Sequence, residues 1–174
     1  IVLNFKLYPE ASGRKTLVLA QKIAKAKKNG YELIVVPSLA TMKEVADKTK
    51  LTVFSAHVDP VSYGAYTGKV SIDELQDIGI TGALLNHSER KVPLPIIKQV
   101  LDLARQKKFT IIACATSLSE VRKIAAMKPA YIAYEPPELI GGDLSVCQAK
   151  PEVMVRAVEL VKSISPQTRL LCGA

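Results

Sequence analysis

Short apolar runs rich in β-branched residues recur along this chain, each separated from the next by a longer segment with helical patterning. That alternation constrains the fold more than any other feature. The runs are Val2 to Phe5, Leu33 to Val36, Thr52 to Ser55, Ala83 to Leu85, Thr110 to Ala113, Tyr131 to Tyr134 and Arg169 to Leu171. They lack a polar alternation, so each is expected to be covered on both faces, as strands of a parallel sheet are once helices pack on either side. Between them, Ile97, Val100, Leu101 and Ala104 share one face at the helical period of about 3.6 residues, as do Met154, Ala157, Val158 and Val161. Strict β-then-α alternation without a reversal favours an α/β barrel over a sandwich, with seven strands and six helices in a single domain spanning 1–174.

Composition bounds the class of partner. A chain of 174 residues with 48% apolar and 23% charged content is an ordinary globular protein, able to bury roughly two thirds of its unfolded surface. No apolar run approaches the ~20 residues a membrane helix needs, and no signal-peptide pattern opens the chain, so a cytoplasmic protein without membrane contact is expected. Cys114, Cys147 and Cys172 are odd in number and lack zinc-ligand spacing, which fits free thiols and no metal. A formal charge of +8 invites a nucleic-acid reading, because clustered lysines and arginines release counterions on meeting phosphate. The basic residues are spread instead over predicted helices, as in Lys22, Lys25, Lys27 and Lys28 or Lys98, Arg105, Lys107 and Lys108, with no aromatic interleaving. Solvated helix faces are expected, no nucleic acid, and a positive field that favours a small anionic substrate.

The chemistry-bearing residues stand at the C-terminal ends of predicted strands, where ligand sites of parallel α/β folds gather. Glu135 lies between a buried strand and the loop Pro136-Pro137-Glu138-Leu139-Ile140-Gly141-Gly142. That is the setting of a general base under a lid, although a Glu of this kind could also be a surface carboxylate capping a loop. His87 follows the fourth strand, and Ser88-Glu89-Arg90 after it is expected to open a helical turn; a lone histidine is otherwise a satisfied loop or core residue. Asn4 and Lys6 flank Phe5, and strand alternation would put both side chains on the inner face. Two connections, His57 to Val70 and Pro136 to Ala149, exceed the about 2 to 6 residues usual for βα turns. The first carries the exposed tip Tyr63-Gly64-Ala65-Tyr66-Thr67-Gly68, disordered or packed on a partner, and His57, which could touch substrate or pack structurally or at an interface.

Asn4-Phe5-Lys6, Asn86-His87-Ser88-Glu89-Arg90 and Tyr134-Glu135-Pro136-Pro137-Glu138-Leu139-Ile140-Gly141, in that order on the first, fourth and sixth strands, resemble the triosephosphate isomerases. The second and third motifs resemble the compact archaeal branch. The resemblance runs over the whole chain and implies a (β/α)8 TIM barrel that interconverts dihydroxyacetone phosphate and glyceraldehyde 3-phosphate through an enediolate, in glycolysis and gluconeogenesis, with no metal or organic cofactor. It implies Glu135 as base, His87 as a neutral imidazole polarising the carbonyl, and Lys6 as a fixed positive charge beside substrate. Asn4 would orient substrate and the lysine, Gly141 and Gly142 would offer backbone N–H groups to phosphate, and Ser88 and Glu89 would support the site. Tyr66 and Thr67 would reach a neighbouring subunit, so a homo-oligomer, dimer or tetramer, is implied.

Two departures from the family pattern stand out. Ile140-Gly141-Gly142-Asp143 occupies the place of Ile-Gly-Thr-Gly, and the sequence stops at Leu170-Leu171-Cys172-Gly173-Ala174, where relatives continue through a further helix and an eighth strand. A barrel domain incomplete at its C-terminal side is the expectation. The alternatives are a truncated fragment serving as a folding or assembly module, and a barrel that binds some other phosphorylated ligand.

Overall fold

A computed structural model describes residues 1–26, 30–136 and 151–173. The chain divides into two compact units, Ile1–Ala83 and Leu84–Ala174. The first holds β1 (Val2–Asn4), α1 (Arg14–Ala26), β2 (Ile34–Val36), α2 (Met42–Lys48), β3 (Thr52–Ser55), α3 (Ile72–Asp77) and the opening residues of β4 (Gly82–Leu85). The second holds the rest of β4, then α4 (Leu94–Gln106), β5 (Thr110–Ala115), α5 (Leu118–Ala125), β6 (Tyr131–Tyr134), α6 (Pro151–Ile164) and β7 (Arg169–Cys172). Seven strands and six helices therefore alternate among the described residues, as the apolar runs predict.

Pairing is parallel wherever the register is defined. In the first unit Asn4 faces Val36, Ile34 faces Thr52 and Phe54 faces Gly82; in the second, β5 pairs with β6 (Cys114 to Ala133, Ala115 to Tyr134) and β6 with β7 (Tyr134 to Cys172). β2 and β4 are buried along their whole length, and β3, β5 and β6 beyond their first residue, which is why these runs carry no polar alternation. β1 and β7 are only partly covered. Helix α4 buries Ile97, Val100, Leu101 and Ala104, the face read from its period. Helix α6 buries Met154, Ala157 and Val161, with Val158 half-covered. Each fully buried Ile, Leu or Val contributes about 1.5–3 kcal/mol. No helix among the described residues is long and apolar enough to cross a membrane.

Helix starts follow local chemistry. Ser71 and Ser117 cap α3 and α5, their hydroxyls accepting the Glu74 N–H at 3.1 Å and the Glu120 N–H at 3.2 Å; each such cap contributes about 1 kcal/mol. The helical turn expected from Ser88 does not propagate. A single turn closes from the Arg90 N–H to the His87 carbonyl at 2.8 Å, and the helix starts only at Leu94. Pro93 accounts for this, because a proline disfavours the helical region at the residue before it, and Pro93 itself is extended at ψ 147 as the N-cap of α4.

The connection 57–70 is pinned at its base. Asp59 donates its N–H to the Val70 carbonyl at 2.8 Å, and its carboxylate accepts the Val70 N–H at 3.0 Å and the Lys69 ammonium at 3.0 Å. Burial pushes the Asp59 carboxyl up, but the Val70 N–H, Lys69 and His57 together hold it below its ordinary range. A depressed folded value makes this contribution fully present above the ordinary Asp value near ~3.9 and lost as pH falls through the folded value. Asp59→Asn should therefore lower the melting temperature at neutral pH and flatten its decline below pH ~4. Parallel wild-type and mutant curves across that window would sink the assignment.

Candidate active site

In the second unit, the ends of β4, β5, β6 and β7 bring His87 and Glu135 together. The imidazole Nε2 lies 3.6 Å from Glu135 Oε2, with the two side chains 11% and 18% exposed. That separation is beyond a hydrogen bond. The tautomer follows from the turn: the Glu89 N–H donates to His87 Nδ1 at 3.2 Å. A ring nitrogen that accepts carries no proton, so the neutral imidazole holds its hydrogen on Nε2, the atom facing Glu135. Glu89 Oε2 stands 3.8 Å from Nδ1. Glu89 is exposed and Ser88 half-buried.

Glu135 is held by its backbone on both sides. Its N–H donates to the Ala115 carbonyl at 2.9 Å, and the Gly173 N–H donates to the Tyr134 carbonyl at 3.1 Å. Glycine at 173 leaves room for the carboxylate: a Cβ there would lie 2.8 Å from Glu135 Cγ and 2.9 Å from Oε1. Oε2 is buried and has no hydrogen-bond partner among the described residues. An ionisable oxygen left unsatisfied inside a protein is costly and calls for a functional reason. Cys114, on the neighbouring strand, is 1% exposed, and burial and the Glu135 charge push its thiol up.

Beside this pair sits a polar cluster that the residue-by-residue reading missed. Asn86 is 1% exposed and adopts φ 61. Its amide nitrogen donates to the Cys114 carbonyl at 2.9 Å and to Glu120 Oε1 at 3.0 Å, and its Oδ1 accepts the Val92 N–H at 3.0 Å. Glu120 also accepts from Lys91 Nζ, and from the N–H and hydroxyl of Thr116 at 2.8 and 3.1 Å. Burial pushes the Glu120 carboxyl up, yet Lys91, Thr116 and Asn86 outweigh that and hold it below its ordinary range. The Ser117-x-x-Glu120 spacing of a capping box was the available signal. Only the fold reveals that the glutamate reaches upstream to Thr116 and across to Asn86.

The first unit carries Asn4 and Lys6. Asn4 ends β1, and its Oδ1 accepts the Lys6 N–H at 3.0 Å. Lys6 lies past the strand with φ 50, so strand alternation does not reach it and the side-chain direction expected from that alternation has no basis. Its ammonium is 5.9 Å from the centroid of the Tyr8 ring. His57 is buried, its carbonyl accepting the Ser55 hydroxyl at 2.6 Å and its Nε2 3.5 Å from Asp59. Tyr66 and Thr67 lie on the exposed tip of the 57–70 connection. Gly141 and Gly142 lie outside the described residues.

The model of the family described as triosephosphate isomerase matches residues 1–174. The chain belongs to that family. Triosephosphate isomerases named as such in Methanobrevibacter smithii and Methanocaldococcus jannaschii are 37% and 33% identical to it over its full length, which covers 79% and 80% of those proteins. That of Thermoplasma volcanium is 38% identical over 92% of the chain and 74% of its own length. Membership of the triosephosphate isomerase family makes this chain an isomerase with the β/α alternation of the TIM barrel, as the three motifs imply. The archaeal character of the motifs agrees with the archaeal relatives.

Proposed function

We propose that the enzyme interconverts dihydroxyacetone phosphate and glyceraldehyde 3-phosphate by a proton shift between adjacent carbons, with Glu135 as the base and His87 as the electrophile. The observation that carries this reading is the buried Glu135 Oε2, without a hydrogen-bond partner among the described residues, 3.6 Å from the Nε2 of a His87 whose Nδ1 accepts the Glu89 N–H. Glu135 takes the proton from the hydroxyl-bearing carbon, the electron pair moves into the new C=C bond, and the carbonyl oxygen becomes an enediolate oxygen. The Nε2–H donates to that oxygen as its charge grows, and a positioned acid–base pair of this kind accelerates proton abstraction about 10²–10⁴-fold. Glu135 then returns its proton to the former carbonyl carbon, while the proton of the original hydroxyl passes to the former carbonyl oxygen and the original hydroxyl-bearing carbon becomes the new carbonyl.

Lys6 supplies fixed positive charge to the enediolate and phosphate, with Asn4 orienting it; the bond from the Lys6 N–H to Asn4 Oδ1 supports the second role. Gly141 and Gly142 are assigned to the phosphate, and Ser88 and Glu89 to the support of His87, for which the Glu89 N–H to Nδ1 bond speaks. A homo-oligomer formed through Tyr66 and Thr67 belongs to the same reading. It is supported by Tyr63 and Tyr66, 63% and 51% exposed on a tip whose base Asp59 holds in place. A cytoplasmic place of work suits the free thiols Cys114 and Cys172.

The test is turnover of dihydroxyacetone phosphate by the full-length chain in heavy water. Glyceraldehyde 3-phosphate carrying deuterium at the carbon that receives the proton is expected. Failure to turn over either triose phosphate would overturn the proposal.

A further inference from the structure

Two adjacent carbonyls at the end of β5 hold the two halves of the reacting pair. The Cys114 carbonyl accepts from the side-chain amide of Asn86, the residue before His87, and the Ala115 carbonyl accepts from the backbone N–H of Glu135. Asn86 clamps its own loop as well, because its Oδ1 takes the Val92 N–H, so the segment carrying His87 is tied at both ends to one side chain. Its second amide hydrogen goes to Glu120, which is itself fixed by Thr116 and Lys91. Three of the four hydrogen bonds an asparagine side chain can form are thus made in a site 1% exposed.

The backbone adds a second argument. At φ 61, residue 86 occupies the left-handed region, which glycine adopts without the Cβ penalty. An asparagine there brings an amide that glycine lacks, and here every one of its bonds sets the place of the loop relative to β5 and α5. We propose that Asn86, backed by Glu120, is a positioning residue that fixes the His87 Nε2 to Glu135 distance by tying the histidine loop to the strand end from which Glu135 also hangs. This rests on the catalytic reading of His87 and Glu135 given above.

The role makes demands that a merely structural one does not. Asn86→Gly in the full-length chain keeps the backbone conformation and removes all three bonds, and a loosened imidazole is expected to cut kcat about 10- to 100-fold per folded molecule, with KM within about threefold. The His87 ring-nitrogen NMR shifts should also lose the pattern of a bonded Nδ1. Asn86→Asp sets a carboxylate against Glu120 and should be worse. Adding Glu120→Gln turns the contact at residue 120 into a donor facing an acceptor with the polarity reversed, while the Cys114 carbonyl still faces a carboxylate oxygen, so the double variant should recover part of that loss. Wild-type kcat per folded molecule in Asn86→Gly, or a double variant no better than Asn86→Asp alone, overturns the proposal. His87→Gln separates it from the reading beneath it. Turnover lost in His87→Gln but kept in Asn86→Gly removes the positioning role only, whereas turnover kept in His87→Gln removes the catalytic role and the positioning role together.

Discussion

Glu135→Asp should lower kcat by about a hundredfold or more while leaving KM within about twofold, because one methylene withdraws the carboxylate by roughly 1 Å from where the substrate carbon must sit. The backbone gives the shorter side chain no way to compensate. Residue 135 is anchored through its N–H to Ala115, and the strand on its other side is tied by the Gly173 N–H to the Tyr134 carbonyl. Gly173 is packed so closely that a Cβ there would stand 2.9 Å from Oε1. The carboxylate therefore has a defined seat, and aspartate cannot fill it. A steady-state assay in both directions measures the effect, and equal kcat in mutant and wild type would remove Glu135 from the role of base.

The largest effect on stability is expected from Gly82→Ala. Gly82 opens β4 directly opposite Phe54 of β3, and a Cβ at 82 would meet the ring at 2.4 Å from Cζ, 2.5 Å from Cε2 and 2.6 Å from Cε1. None of these separations is attainable between carbon atoms, so either the ring or a strand must move. Phe54 is 3% exposed and Ala83 is fully buried, so the displaced ring has nowhere to go without disturbing its neighbours. Overpacking of this kind costs about 3 kcal/mol, which for a chain of this size lowers the melting temperature by roughly 6–12 °C. Calorimetry would read the loss directly. Phe54→Leu in the same background should return part of it, and an unchanged melting temperature in Gly82→Ala alone would show that the ring is free to yield.

The elements that could be read in the sequence are those whose cause is local. Apolar runs without polar alternation marked all seven strands; for β2 to β6 the reason is burial on both faces, which selects against polar residues, whereas β1 and β7 are only partly covered. Ile97, Val100, Leu101 and Ala104 were legible as a core face because they recur at the helical period. Errors fell where the tertiary setting overrides local pattern. β1 ends at Asn4 because the chain turns through a left-handed Lys6, and β5 runs on to Ala115 because its partner strand supplies bonds to that point. Ser88 begins a turn and no helix, since a proline five residues on resets the backbone.

Order and spacing of three short motifs were enough to determine the family, and with it the reaction class and the carboxylate, histidine and lysine to look for. Such motifs report the residue types that a reaction demands, and those are written in the chain itself. What only the tertiary structure decided is how the pair is held: the orphaned oxygen of Glu135, the proton on Nε2 of His87, the glycine that makes room and the Asn86–Glu120 clamp. Apart from the His87 tautomer, which a hydrogen bond from two residues on sets, each of these depends on atoms from strands and loops far apart in the sequence. A hydrogen bond between residue 86 and residue 120 has no local signature, because distance in space becomes defined only when β4 and β5 lie side by side.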